Sequence, residues 1–438
     1  MFETIKNAFK VKEIRRKIWI TLLLLLVFRL GCYIPVPGLE REFFASSIEG
    51  NEFLEIMSSI TGGSLANGTL FALGIGPYIN ASIIMQLLTF GIPALERLQK
   101  EGEDGRRKIS QITRYVALGL AVIQSVGIIV NFAVNSDGAI DTVLFGSNIW
   151  GTTAANWIAG VYMTVVYTGG ACLVMWLGDR ITEYGIGNGM SMIIFIGLIS
   201  TAGLSIWEKI YDAFTVNIDY IWEVIGFVAI TIVLFTAIVT VDLAERKIPV
   251  QYAKQVKGRK MYGGQKSEIP MRISAAGVMP LIFAFAIISV PSMILSIFFP
   301  NSAAYEWWNT WIGSGTWIYI IILCVLIFLF SFFYAQMQFN PDDVAKSIQQ
   351  NGGFIQGIRP GRPTADYLKK INNRITLFGA IYLSLVAFIP SIAFSWVSSD
   401  LVNVFSTTGI LIVVSVAMEF DKQLQSQLMM KNYKGFLK

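Results

Sequence analysis

The side chains that most often perform chemistry in proteins are scarce in this sequence of 438 residues, which contains no histidine. Metal ligation or proton relay by imidazole is therefore excluded. Cys32, Cys172 and Cys324 lie in apolar runs, where we interpret them as packing residues and not as a disulfide framework. The sequence has no Gly-rich loop ending in Lys and Ser or Thr for nucleotide phosphates. We expect no catalytic residue, metal or cofactor, and hence no enzyme.

Ionisable residues are also poorly placed for transport chemistry. Asp179, Glu183, Glu223 and Asp242 fall at the ends of apolar runs, and Arg29 is the one cation within a run. A secondary transporter usually keeps ionisable groups at mid-membrane to bind its ion or substrate. An intramembrane protease would need an interior Asp pair or a Ser with a His. Both alternatives are disfavoured, and an interior pathway would have an apolar constriction.

Apolar runs of about twenty residues, enough to cross a hydrocarbon core of roughly 30 Å, recur along the chain. All Lys and Arg residues except Arg29, Arg41 and Lys209 fall in every second gap between these runs. Because cations are retained on the cytoplasmic side, both termini are predicted to be cytoplasmic and the number of spans even. We predict ten spans, at residues 18–35, 71–92, 113–134, 154–177, 188–206, 220–243, 273–299, 316–338, 375–395 and 401–418.

The predicted fold is an all-α polytopic membrane protein with two pseudo-symmetric, inverted halves of five spans. The N-terminal half lies within residues 1–243, and the second half begins at about residue 207 and runs to 438. A local echo supports the repeat, since Gly74 and Gly277 are each followed by Pro three residues later. Two ordinary proline kinks in membrane helices would give the same pattern, so both interpretations stay open.

Residues 55–69 (EIMSSITGGSLANGT) are too polar and Gly-rich to span a membrane and too numerous for a tight turn. They are interpreted as a re-entrant segment, which requires an interior vestibule because irregular backbone at membrane depth must be covered by protein or line a cavity. An exposed outer loop is the alternative.

Two long basic loops, at residues 244–271 and 339–374, are predicted to be cytoplasmic. The first alternates Ile248, Val250 and Tyr252, which indicates a small hairpin. The second opens at Asn340 and Pro341, which favour a helix start. Basic loops often only orient a membrane protein, but structured loops of this length also fit a docking surface for an anionic partner.

Several sequence blocks in order resemble the SecY/Sec61-alpha family of protein-conducting channels. They include FALGIGPYINASIIMQLLT at 71–89, EGEDGRRKISQITR at 101–114, WLGDRITEYGIGNGMS at 176–191, IPVQYAKQ at 248–255 and GFIQGIRPG at 353–361. The resemblance covers nearly the whole chain. It implies a subunit that passes unfolded secretory preproteins across the bacterial cytoplasmic membrane and releases membrane segments sideways into lipid.

The resemblance also implies roles for individual residues. The segment 55–70 would be a plug that closes the channel from outside, and its residues are Thr61, Gly62, Gly63, Ser64, Leu65, Asn67 and Gly68. A hydrophobic pore ring would be formed by Ile75, Ile79, Met190, Ile194, Met279 and Ile412. Methionine replaces the family's usual isoleucine at Met190 and Met279, which keeps the ring apolar but makes it softer.

Two further sets of residues follow from the resemblance. The lateral gate, through which signal sequences reach lipid, would include Asn80, Gln124 and Ser274. The docking surface for the motor ATPase SecA or the ribosome would include Arg246, Lys247, Lys254, Arg259 and Arg359. Small SecE-type and SecG-type membrane subunits are the other implied partners, with signal-bearing preproteins as substrates and the lipid bilayer as surroundings.

Overall fold

A computed structural model describes residues 2–39, 58, 61–135, 152–215, 220–252, 255–257, 260–262, 266–273, 277, 279–299, 302–313, 316–395 and 407–435. The chain forms two compact units. Unit 1 comprises Met1–Phe227, Ile288–Thr316 and Val397–Lys438, and unit 2 comprises Val228–Ile287 and Trp317–Trp396. A grouping by packing does not test the predicted inverted halves, which stay a prediction.

Helices make up most of the described chain. In chain order they are α1 (Phe2–Lys10), α2 (Lys12–Gly31), α3 (Gly76–Gly91), α4 (Pro93–Lys100), α5 (Glu103–Asn135), α6 (Thr152–Tyr184), α7 (Gly189–Thr215), α8 (Tyr220–Leu243), α9 (Met279–Phe298), α10 (Ala303–Ile312), α11 (Trp317–Gln338), α12 (Pro341–Gln350), α13 (Arg362–Ser395) and α14 (Thr407–Gly435). The strands are β1 (Glu245–Tyr252), β2 (Gln255–Lys257), β3 (Lys260–Tyr262), β4 (Lys266–Arg272) and β5 (Gly353–Phe354).

The chain is a multi-pass helical membrane protein, as predicted. Within the described residues, six helices are long and apolar enough to cross a membrane: α5, α6, α7, α8, α11 and α13. A seventh span results if α3 and α4, which bend by 100° at their junction, are counted as one. Every predicted run coincides with a helix, but α2 and α14 also carry charged turns and α9 is short in its apolar part. The total of ten spans therefore stays a prediction.

Two helices begin earlier in the chain than the spans predicted from hydropathy. Helix α5 begins at Glu103 and not near residue 113, with Glu103 and Asp104 in its first turn, where carboxylates stabilise the positive end of the helix dipole. Helix α13 likewise begins at Arg362 and not near residue 375. Hydropathy locates the membrane-embedded part of a helix, whereas backbone hydrogen bonds continue into charged sequence.

The second predicted span begins later than expected. Residues 71–75 form turns, and α3 starts only at Gly76 with Pro77 in its first turn. Gly74 has φ +52°, a left-handed conformation that interrupts a right-handed helix. The apolar run at 71–92 therefore begins with turns and continues as a helix.

In unit 2, the two basic loops fold together. Strands β1 and β4 pair antiparallel with Ile248 opposite Ile269, and β5 from the second loop pairs with the other edge of β1. Alternation along β1 buries Ile248 and Val250. The predicted hairpin is confirmed, and β2 and β3 form a second antiparallel pair. The strand β5 was not anticipated, because two residues leave no periodic signal.

One apolar cluster joins this sheet to the helices of unit 2. It contains Ile248, Val250, Met271, Ile348, Ile355, Leu368, Ile371 and Ile375. Helix α12 begins as predicted, because the Asn340 side chain accepts a hydrogen bond from the Asp342 amide at 3.2 Å. The predicted loops 244–271 and 339–374 thus share a core, which a flexible orientation signal does not require.

Unit 1 is built on close backbone approaches that only small residues permit. The Cα of Gly31 faces the Phe71 ring, and Gly170 of α6 faces the carbonyl of Leu70. A separate apolar cluster contains Leu65, Leu73 and Val36 together with side chains of α5 and α6, including Tyr167. Helix α6 therefore packs directly on the turn-rich chain that precedes α3.

We predict that Gly170→Ala destabilises the protein while Gly169→Ala does not. A Cβ at Gly170 would overlap the backbone carbonyl of Leu70, which cannot rotate away, whereas a Cβ at Gly169 meets no atom within 4 Å. Overpacking of this kind costs about 1–3 kcal/mol. The measurement is the temperature at which the purified protein loses its monodisperse size-exclusion peak in detergent. Equal midpoints for the two variants would contradict the close approach.

Candidate functional site

The centre of unit 1 is occupied by the turn-rich segment at residues 61–75, which carries the predicted plug residues. Thr61, Ser64 and Leu65 have relative exposures of 2%, 0% and 1%. Asn67 and Gly63 are partly buried, and Gly62 and Gly68 are buried. The alternative of an exposed outer loop is therefore wrong for these residues. Residues 55–57, 59 and 60 lie outside the described part of the chain.

Buried irregular backbone needs hydrogen-bond partners, and the end of α2 supplies several. The amide of Leu70 donates to the Ile34 carbonyl at 2.9 Å, and the amide of Val36 donates to the Gly68 carbonyl at 3.2 Å. These bonds flank an antiparallel bridge between Pro35 and Thr69. The segment is therefore tied to the chain that leaves α2.

Side chains of the segment satisfy further backbone groups. Hydroxyl groups of Thr61 and Thr69 donate to the carbonyls of Ser58 and Ser64, both at 3.1 Å. The Asn67 amide donates to the Gly63 carbonyl at 2.9 Å. This is the chemistry by which Ser, Thr and Asn stabilise turns. The polar composition that argued against a span is thus what allows the chain to fold as turns in the interior.

Five of the six predicted pore-ring residues belong to unit 1 and lie near the start of a helix. Ile75 precedes α3 and Ile79 is in its first turn, Met190 and Ile194 are in the first two turns of α7, and Ile412 is in the second turn of α14. Ile75, Ile194 and Ile412 are buried, at 2%, 7% and 7% exposure. Helix α7 packs against α14. Met279, at the start of α9, belongs to unit 2 and is 43% exposed within the structure.

Met190 also contacts residues outside the predicted pore ring. Its sulfur lies against Gly178 of α6, and its side chain packs beside the cluster of Ala81, Ala117 and Met175. A long, unbranched side chain is needed to reach this cluster. The resemblance implies a place for Met190 in the pore ring, and this contact gives the methionine a packing role as well.

The turn between α6 and α7 fixes where Met190 and Ile194 stand. The Thr182 hydroxyl accepts from the Gly189 amide at 2.9 Å, and the Asn188 side chain accepts from the Met190 amide at 3.1 Å. The Thr21 hydroxyl of α2 accepts from the Ile186 amide at 3.0 Å. The sequence analysis missed Thr21, since a contact between residues 165 apart leaves no local signal.

The predicted lateral-gate residues are only partly described. Asn80 is half-buried on α3, and Gln124 is 2% exposed on α5, next to Ser125, whose hydroxyl is 3.3 Å from that of Thr168 on α6. Helices α3 and α5 pack side by side. Ser274 lies outside the described residues. Polar side chains thus line the contacts among α3, α5 and α6.

In unit 2, the predicted docking residues that are described are all exposed. Arg246 and Lys247 lie on β1, and Lys247 is 3.7 Å from Glu268 on β4, an exposed pair that contributes little to stability. Arg359 extends from a turn whose backbone is fixed, because the buried Thr364 hydroxyl donates to the Arg359 carbonyl at 2.8 Å. Lys254 and Arg259 lie outside the described residues.

The fold is that of protein-conducting channels. A solved structure described as "The structure of a protein conducting channel" has a TM-score of 0.65 and 20% identity, covering 94% of this chain and 92% of that one. A SecY structure described by its plug domain, which stabilises the closed state and maintains a membrane seal, has a TM-score of 0.65 and 19% identity over the same shares. Canine Sec61 in a ribosome-channel complex has a TM-score of 0.62 at 19% identity, again covering 94% and 92%.

Sequence comparison identifies the family. The SecY family model matches residues 69–420. Protein translocase subunit SecY of Streptomyces coelicolor is 40% identical over 460 aligned residues, and that of Streptomyces griseus is 41% identical over 453, each covering 100% of both chains. The chain therefore belongs to the SecY family. Its relatives are named as translocase subunits, which agrees with the expectation that it is not an enzyme.

We predict that Ile194→Gly raises the ion leak of vesicles containing the protein, and that Ile79→Gly does the same. In the pore ring that the resemblance implies, removing a branched apolar side chain opens space for water. The measurement is the rate of ion-dependent dye release or single-channel conductance without substrate. Ile199→Gly is the matched control, because Ile199 lies on the same helix but is 38% exposed, and glycine lowers helix stability at both positions. Equal leak in Ile194→Gly and Ile199→Gly would count against the ring assignment.

Proposed function

We propose that this chain is the channel subunit that passes unfolded, signal-bearing preproteins across the bacterial cytoplasmic membrane and releases membrane segments laterally into lipid. The observation that carries the proposal is the match to SecY translocase subunits over the full length of both chains. A buried, non-helical segment inside a bundle of spans fits the same function, since such a segment can be displaced without unfolding a helix.

The proposed closed state has two barriers in series. Residues 55–70 form the plug, and the apolar residues Ile75, Ile79, Met190, Ile194, Met279 and Ile412 form the ring. A ring of flexible apolar side chains accommodates any passing side chain while excluding water and ions, because it binds nothing specifically. Methionine at Met190 and Met279 adds flexibility to that ring.

The lateral gate is proposed to open between the helices that carry Asn80 and Gln124 and the segment that contains Ser274. Hydrogen bonds between polar side chains of neighbouring membrane helices contribute only about 0.6 kcal/mol on average, so they can be exchanged rapidly. A signal helix that replaces one side of the contact could then move into lipid. The polar residues would therefore stabilise the closed lateral gate only weakly, which allows it to open.

Partners must supply energy and complete the channel. We propose that exposed Arg246, Lys247 and Arg359 form part of the docking surface for SecA or a translating ribosome, together with Lys254 and Arg259. A folded, basic unit attracts an acidic protein surface or rRNA. One fold relative is a Sec61 channel in complex with a ribosome. SecE-type and SecG-type subunits and a cytoplasmic location of both termini belong to the same proposal.

An ion-coupled solute transporter is the alternative class. Its coupling site would need a carboxylate available inside the membrane. Two carboxylates near span ends are instead paired with cations: Asp179 with Arg114 at 3.0 Å and Glu183 with Arg180 at 2.6 Å. The comparisons with known proteins give this class no support.

Reconstitution tests the function directly. Vesicles that contain this chain with a SecE-type partner should import a signal-bearing preprotein when SecA and ATP are added, because the motor supplies the work that the channel lacks. Protease protection of the imported chain is the measurement. A preprotein without its signal is the control. Failure of import with a verified motor and a correctly folded channel would refute the proposal.

We predict that Arg359→Glu abolishes SecA-driven import while leaving membrane insertion of the channel intact. Charge reversal on a rigid, exposed turn replaces attraction to an acidic partner with repulsion. Lys369→Glu, an exposed charge reversal on α13 of the same unit, is the matched control. Import rates at several salt concentrations are the measurement. Normal import by Arg359→Glu would remove Arg359 from the docking surface.

A further inference from the structure

Arg29 is a cation inside the first apolar run, in the last turn of α2, where the sequence assigned it no role. A charged residue within a span is costly and is retained where it has specific partners. One of its partners in the structure, Gly62, is part of the buried turn-rich segment of unit 1. The contact joins residues 33 positions apart.

The guanidinium group of Arg29 makes two directed contacts. Its Nη1 donates to the carbonyl oxygen of Gly62 at 2.8 Å, and its Nη2 donates to the hydroxyl of Tyr33 at 3.1 Å. The guanidinium carbon is also 5.0 Å from the centroid of the Tyr33 ring, within the range of a cation–π interaction. Tyr33 therefore holds the arginine in the orientation that reaches Gly62.

The backbone of Gly62 is also constrained by its own conformation and by α7. Gly62 has φ +71°, a left-handed conformation that other residues rarely adopt. A Cβ there would lie 2.7 Å from Nη1 of Arg29 and 3.1 Å from the Cα of Gly197 on α7. The carbonyl of Gly62 thus sits where α2, α7 and the buried segment meet, and no side chain separates it from the arginine.

A hydrogen bond from an ionised donor is about twice as strong as a neutral one, and a low local dielectric strengthens it further. The other contacts of the segment, such as those of Thr61, Asn67 and Thr69, are neutral and lie mostly within the segment itself. The Arg29 contact is charged, and it connects the segment to a helix.

We propose that Arg29 is a positioning residue that latches residues 61–70, the described part of the predicted plug, in the closed position. Its hydrogen bond to Gly62 must break before the segment can leave the interior. This inference rests on the proposed function only in taking the segment as the plug. Arginine is suited to the role because its planar fork binds Gly62 and Tyr33 at the same time, which the ammonium of lysine does less well.

Two substitutions attack the contact from opposite sides. Arg29→Met removes the donor and keeps an unbranched apolar chain, and Gly62→Ala places a methyl group against Nη1 of Arg29 and strains the backbone that presents the acceptor. Both should raise ion leak of vesicles without motor or substrate by on the order of tenfold, the factor expected from losing one charge-assisted hydrogen bond. Arg29→Lys should fall between Arg29→Met and the wild type.

A second readout follows the segment itself. Ser64 is fully buried, so Ser64→Cys in a background with Cys32, Cys172 and Cys324 replaced by alanine should react slowly with a membrane-impermeant thiol reagent. Adding Arg29→Met or Gly62→Ala should speed that reaction by a similar factor. Thermal midpoints are measured in parallel. Faster labelling with an unchanged midpoint indicates release of the segment, whereas a lowered midpoint indicates global destabilisation.

Arg180→Met is the matched control, because Arg180 is also within cation–π distance of aromatic rings, 5.5 Å from Trp176 and from Tyr184, but does not touch the segment. It should leave leak and labelling unchanged. The double variant of Arg29→Met and Gly62→Ala should be no leakier than Gly62→Ala alone, since the contact that Arg29→Met removes is already lost there.

Three outcomes would overturn the latch: wild-type leak and labelling in folded Arg29→Met, multiplicative effects in the double variant, or an equal effect of Arg180→Met. None of these measurements uses a preprotein or a motor. If the wild type failed to import preproteins yet Arg29→Met released the segment, the proposed function would fall and the latch would stand. The reverse result would retain the function and remove the latch.

Discussion

Every backbone amide and carbonyl at membrane depth needs a partner within the protein, and the organisation of unit 1 follows from this constraint. Most of the chain meets it with helices. Residues 61–75 do not, and they meet it by pairing with residues 34–36, by hydroxyl and amide caps of their own, and by the cation of Arg29. Such a segment must be enclosed by helices, so α2, α5 and α6 pack around it through small residues. Because no helix needs to unwind when it moves, such a segment fits the proposed role of a plug.

Polar residues are concentrated in two places, where they have different structural roles. In unit 1 they stabilise turns and helix starts, as Asn188 and Thr21 do at the turn before α7. In unit 2 they cover a sheet whose apolar side is packed on α12 and α13. The pair of Lys247 and Glu268 on this surface is exposed and contributes little to stability. The docking role of the surface cations stays a prediction.

How far the sequence could be interpreted depended on the range of the interactions. Apolar runs located a helix at every predicted span, and Asn340 located the start of α12, because both signals are local. Helix ends were misplaced at Glu103 and Arg362, because hydropathy detects the membrane and not the hydrogen-bonded backbone. The re-entrant interpretation of residues 55–69 agrees with the burial of Ser64 and Leu65. Composition alone did not exclude an exposed loop, because a polar, Gly-rich composition is shared by exposed loops and by enclosed turns. The partners of Arg29 and Thr21 were out of reach, since each contact joins distant segments.

Met190 shows how positioning and flexibility can coexist at one residue. Its backbone is fixed by Asn188 and by the close approach of Gly189 to α6, so the start of α7 cannot drift. Its side chain has three rotatable bonds and rests against Gly178, where no Cβ restricts it. A β-branched isoleucine at this position would be stiffer and could not extend as far toward Gly178. The flexibility thus lies in the side chain while the backbone stays rigid, which fits the place in an apolar pore ring that is proposed for Met190.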